Sequence, residues 1–182
     1  MAQVLEAAEA AQGPAADSVD WTERTLSDLI DHIERTHHAF LRDELPRLTG
    51  LVHKVARVHG DTTPWMVSIK EVFDDLRPAL EGHMQKEEEV VFPMIRALEA
   101  GEPLPEPSSL GRDPIQLMED EHDDAGDALK RMNALSDGYT PPDDACGTFR
   151  AALDGLARLE ADMHQHVHKE NNLLFPRARK LV

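Results

Sequence analysis

An eleven-residue string that occurs twice narrows the folds open to this 182-residue chain more than any other feature. His83-Met84-Gln85-Lys86-Glu87-Glu88-Glu89-Val90-Val91-Phe92-Pro93 and His166-Val167-His168-Lys169-Glu170-Asn171-Asn172-Leu173-Leu174-Phe175-Pro176 share the pattern His-x-x-Lys-Glu-x-x-apolar-apolar-Phe-Pro without a gap. On a helix, His and Glu four apart lie on one face, a single turn from each other. The first such face also carries Leu76, Leu80 and Met94; the second carries Leu156, Leu159, Met163 and Leu173. His83, Glu87, His166 and Glu170 are therefore expected to point into a core. His164 and His168 fall off the apolar stripe and are expected in solvent.

Four apolar patterns of helical period run along the chain. They begin near Ser27, run from Trp65 to about Leu98, from Pro114 to about Leu135, and from Asp143 to about Phe175. Pro46 predicts a kink or a break, and Pro78 and Pro93 a bend or a shortening. Gly60-Asp61-Thr62-Thr63-Pro64 reads as a C-cap, a turn, an N-cap and a proline at the first helical position. Residues 100–113 form the one long connection. With no strand-like alternation to compete, the expected fold is all-α: an up-down-up-down four-helix bundle over 21–182, with a weakly ordered arm over 1–20.

Charge and cysteine usage exclude several classes. A net charge of −16 repels phosphate backbones, so nucleic acid is not expected as a partner. Cys146 is the single cysteine, in keeping with a reducing compartment and a structural thiol. The first residues lack a basic region followed by an apolar run, and nowhere are there eighteen consecutive apolar residues. The expected setting is cytoplasmic, away from membranes.

The other helices complete the inward-facing set. In the third pattern His122 shares a face with Met118, Ala125 and Leu129. In the first, His37 and His38 lie equally far from the apolar stripe, and periodicity does not separate them. Position 38 precedes 83 by 45 residues and 122 precedes 166 by 44, so each hairpin places a His opposite a His-x-x-x-Glu at similar depth. His59 is too far away, about 32 Å from His38 along a continuous helix. Four imidazoles and two carboxylates converging in a bundle form a di-metal carboxylate centre suited to Fe, Mn or Zn. Its open positions would admit O2, NO or peroxide. Glu121 is expected as an outer carboxylate, Glu88-Glu89 and Asp123-Asp124 as solvated faces, and His32 and His53 at the surface. Phe92-Pro93 and Phe175-Pro176 are expected as helix ends plugging the bundle.

These residues resemble the hemerythrin-like (HHE) cation-binding domain and, more narrowly, the repair-of-iron-centres di-iron proteins. The resemblance rests on Leu29-Ile30-Asp31-His32-Ile33, His37-His38, Glu44-Leu45-Pro46, Lys54 to His59, His83 to Pro93, Met118 to Asp123 with Ala125-Gly126, and His166 to Arg177. It selects His38 over His37, giving a metal set of His38, His83, Glu87, His122, His166 and Glu170. It implies two oxo- or hydroxo-bridged non-haem irons. The implied role is handling NO or reactive oxygen species and supporting iron–sulfur cluster repair, with iron–sulfur proteins as partners. A hemerythrin-like O2/NO binder or sensor without turnover, or a peroxide-disposing enzyme, shares the same ligands, so enzymatic turnover stays open. Many members carry an N-terminal domain with a cysteine pair, and this chain has no cysteine in its first twenty residues.

Overall fold

A computed structural model describes residues 19–103 and 113–181. Nearly all of the expected N-terminal arm and most of the long connection lie outside the described residues. Four long helices account for the rest: α1 (26–59), α2 (65–100), α3 (114–135) and α4 (147–178), followed by a 3-10 turn, Arg179–Leu181. Helix α1 packs against α2 and α4, and α2 against α3, while α3 and α4 touch more sparsely.

The helix ends follow from local chemistry. Thr25 caps α1 by accepting from the Asp28 amide, and Asp113 caps α3 by accepting from the Ile115 amide, with Pro114 as first helical residue. Helix α2 ends at Gly101, whose φ of 67° lets the Glu102 amide reach back to the Ala97 carbonyl. Gly60 differs from the expected left-handed cap. It keeps a right-handed φ of −58°, and its lack of a side chain matters because a Cβ there would sit 2.4 Å from the Ala56 carbonyl oxygen and 2.8 Å from Val67.

The prolines neither break nor end these helices: Pro46 and Pro78 lie inside helical runs, and the chain continues as helix beyond Pro93 and Pro176. Instead, three π-turns widen the helices, at Glu34–His38, Glu87–Val91 and Glu170–Leu174. In each, the closing amide reaches five residues back: Ala39 to Glu34, Phe92 to Glu87 and Phe175 to Glu170. In α2 and α4 the following proline has no amide of its own to offer the ladder, which favours the wider turn in both copies of the repeat.

Two apolar cores result. One gathers Leu41, Leu45, Leu48, Phe73, Leu80, Leu129, Phe149, Leu156 and their neighbours. The other gathers Leu29, Ile30, Ile33, Phe92, Ile95, Met118, Leu174 and Phe175. Every helix crosses from one core to the other, and residues 37–38, 83–87, 122 and 166–170 fall at the crossing. A layer of buried polar groups therefore separates the two.

The end of the bundle where α1 begins is tied by Glu99 of α2. Its carboxylate accepts from the Leu26 amide (2.6 Å), the Ser27 amide (2.9 Å) and the Ser27 hydroxyl (2.7 Å), satisfying orphan donors at the start of α1. Burial works against the ionised carboxyl, but these donors outweigh it and hold its pKa below the usual 4.5. A depressed carboxylate contributes stability above its unfolded pKa and loses it as pH falls through its folded value. Replacing Glu99 by Ala should cost about 1–2 kcal/mol at pH 7. In urea melts the gap between variant and wild type should narrow as the pH is lowered to ~3.

Candidate metal centre

The polar layer is built from the two copies of the repeat facing each other. Glu87 and Glu170 are fully buried, each with one oxygen toward each of two imidazoles. Glu87 Oε2 lies 3.2 Å from His38 Nε2, and Glu87 Oε1 lies 3.3 Å from His83 Nε2. Glu170 Oε1 lies 3.0 Å from His166 Nε2, and Glu170 Oε2 lies 3.0 Å from His122 Nε2. Two overlapping sets follow, His38–Glu87–His166–Glu170 and His83–Glu87–His122–Glu170. In each, one donor atom from every residue lies within 4.8 Å of the others, and both carboxylates belong to both sets. The widened turns begin at Glu87 and Glu170 and end at His38, giving these side chains the altered aim that π-turns supply at functional sites.

The orientation of the rings tests whether a cation fits. His83 Nδ1 is 2.9 Å from Glu121 Oε2, His122 Nδ1 is 2.9 Å from Asn171 Oδ1, and His38 Nδ1 is 2.6 Å from Glu88 Oε1. Each partner is an acceptor, so each Nδ1 carries the hydrogen and each neutral ring turns its Nε2 lone pair inward. His83 Nε2 and His122 Nε2 then face each other at 3.0 Å. Both oxygens of Glu87, Glu170 Oε2 and His38 Nε2 are buried without a well-formed hydrogen bond. Lone pairs aimed at lone pairs in a dry layer suit divalent cations, and the nitrogen–oxygen donor set fits Fe, Mn or Zn.

Without a metal, protons must take that place. Burial opposes charge on His83, but Glu87 and Glu121 outweigh it and raise its pKa to about 10. His38 and His122 are raised in the same way, by Glu87 and by Glu170 respectively, each against the effect of burial. Burial would raise Glu170, yet the His166 charge and the His122 ring beside it hold it well below the usual carboxylate range. The hydrogen bond from His83, against burial and with Lys86 adding to it, lowers Glu121 to about 2.

All six sequence-selected residues meet in this layer. His37 is equally buried but turns away: its Nδ1 contacts Asp162 Oδ1 (2.9 Å) and its Nε2 contacts Lys169 (2.9 Å). His59 lies at the far end of α1, beside Cys146 and Phe149. His53, His164 and His168 are exposed, whereas His32 is half-buried, packed on Trp21 and in contact with Lys169. Glu121 sits beside His83 as an outer carboxylate, as expected.

Besides that of His32 at the surface, two expectations need correction. Glu88 is not simply solvated, because it bridges His38 and Arg42. The Phe-Pro pairs are not helix ends: Phe92 stacks on the His38 ring and Phe175 on the His122 ring, at centroid distances of 5.7 and 6.1 Å. The repeat held the missing signal, since Glu88 and Asn171 each directly follow a core glutamate and each reaches across to the lone His of a neighbouring helix.

The Hemerythrin HHE cation binding domain family matches residues 29–178. The chain is 40% identical over 162 residues to the iron-sulfur cluster repair protein YtfE of Musicola paradisiaca (strain Ech703), an alignment covering 87% of this chain and 68% of that one. It is 36% identical over 176 residues to the protein of the same name from Escherichia coli O157:H7, covering 97% and 76%. A probable iron-sulfur cluster repair protein of Haemophilus influenzae is 35% identical over 158 residues, covering 87% and 67%.

Replacing Glu87 or Glu170 by Leu removes a carboxylate from both donor sets while filling the space with apolar atoms. It also leaves two buried imidazoles without their charged partner, and breaking a buried set by removing one member costs about 3–5 kcal/mol. Each variant should stay helical by circular dichroism but melt, metal-free, below the wild-type temperature. Calorimetric titration should show that neither retains tight binding of Fe(II) or Zn(II).

Proposed function

Because the chain belongs to the hemerythrin HHE cation-binding family, on the branch of the iron–sulfur cluster repair proteins, we propose that it is a non-haem di-iron protein that handles nitric oxide or reactive oxygen species and supports iron–sulfur cluster repair. Glu87 and Glu170 would each serve both irons, with His38 and His166 holding one and His83 and His122 the other. The sharing of both carboxylates between two four-donor sets is the observation that carries this reading. An iron pair bound there would supply reversible binding and one-electron chemistry toward small diatomic or peroxide ligands.

The protein's own residues do the rest. Glu88, Glu121 and Asn171 fix the imidazole tautomers, keeping the Nε2 lone pairs inward. Phe92 and Phe175 pack on the rings and keep water out. A cavity of about 570 Å³ between α2 and α3 runs to His83 and His122 along Val72, Leu76, Leu80 and Ala125. Its apolar wall suits an uncharged diatomic, and its outer edge carries Asp75, Asp124, Asp127 and the Lys86–Glu121 pair.

Repair of iron–sulfur clusters implies iron–sulfur proteins as partners. None of the helices among the described residues is long and apolar enough to cross a membrane. Stopped-flow mixing of the reduced, iron-loaded protein with NO, O2 and peroxide tests the reading. Consumption over many turnovers is expected for NO or a reactive oxygen species. A spectrum that forms and reverses without consumption would replace the proposal with a binding or sensing role. Replacing Glu121 by Gln leaves His83 a weaker acceptor and should lower iron affinity by about 10–100-fold in a competition titration.

A further inference from the structure

The pseudo-two-fold relation between the halves extends beyond the donor sets and fails at one place. Glu88 follows Glu87 and takes His38 Nδ1; Asn171 follows Glu170 and takes His122 Nδ1. Glu121 precedes His122, takes His83 Nδ1 and is met by Lys86 of the first repeat. Its counterpart is His37, which precedes His38 and is met by Lys169 of the second repeat. His37 does not bond His166. The two rings lie parallel, at 2° and 5.2 Å between centroids, and His166 Nδ1 is buried with no hydrogen-bond partner among the described residues.

A carboxylate stands ready to fill that place. Asp162 lies one turn before His166 on α4, at the position equivalent to Ala79 before His83. Its Oδ1 accepts from His37 Nδ1 (2.9 Å), and its Oδ2 is buried with no partner. Lys169 donates to His37 Nε2, so the hydrogen of His37 must sit on Nδ1 and point at Asp162. One helix turn thus carries a buried donor without an acceptor and a buried acceptor without a donor. Residues four apart on a helix are about 5–6 Å apart at Cβ, within reach of each other through a change of side-chain rotamer. A buried polar group left alone is costly, and a metal-bound imidazole needs an acceptor on its second nitrogen.

We infer that Asp162, held by His37 and Lys169, is the positioning carboxylate of His166, doing for one metal what Glu121 does for the other through His83. The carboxylate has moved from the residue before the lone His to the turn before the repeat, and an imidazole has taken the vacated place. This inference rests on the di-iron reading of the site.

Asp162→Asn keeps the shape and the acceptor for His37 but turns an amide donor toward His166 Nδ1–H. Anaerobic Fe(II) titration should show one of two binding steps weakened by about 10–100-fold, with the other unchanged. The 57Fe Mössbauer spectrum of the loaded variant should show one iron signal shifted and one retained. Metal-free Asp162→Asn should melt with the wild type, which separates this role from a merely structural one. Asp162→Ala should weaken the same step and no other. Two wild-type binding steps with unaltered signals in Asp162→Asn would overturn the assignment, as would equal shifts of both irons. A wild-type protein that takes up no iron would overturn the di-iron reading together with it.

Discussion

Two carboxylates with no access to water, Glu87 and Glu170, set the terms for the rest of the molecule. An ionised carboxylate in an apolar interior costs several kcal/mol unless opposite charge and hydrogen bonds surround it. Four imidazoles, three of them aimed by outer acceptors, supply part of that compensation, and a pair of divalent cations would supply the rest. The two apolar cores on either side keep solvent from doing the same work. The layer is at once costly to bury without a metal and the part of the bundle suited to hold one.

Precise aim is bought with local departures from the α-helix. The three π-turns lie at His38, Glu87 and Glu170, and among the described residues the helices widen nowhere else. Widening breaks the regular ladder, which selection tolerates where side-chain direction matters more than backbone economy. The two halves reach the same arrangement through equivalent residues, with Phe92 on His38 mirrored by Phe175 on His122. They part at His37 and Asp162, so the two donor sets have different surroundings.

Helical periodicity exposed the fold and five of the six core residues, because a His-x-x-x-Glu face stands out against an amphipathic pattern. It could not choose between His37 and His38. The π-turn at 34–38 shifts the phase of α1 at that point, so a ruler of 100° per residue loses its footing there. Proline rules misled in a related way: Pro46 and Pro78 are carried by tertiary packing, and Pro93 and Pro176 favour widening rather than termination. Glu88 looked like one more acid in a solvated run, since its partner His38 lies fifty residues away and only the folded chain brings them together.

A crystal structure of the iron-loaded protein, with anomalous differences collected at the iron edge, tests the central claim most directly. Two peaks are expected between Glu87 and Glu170, one beside His38 and His166 and the other beside His83 and His122. A single peak, a peak outside this layer, or a fully folded protein with no iron bound would contradict it.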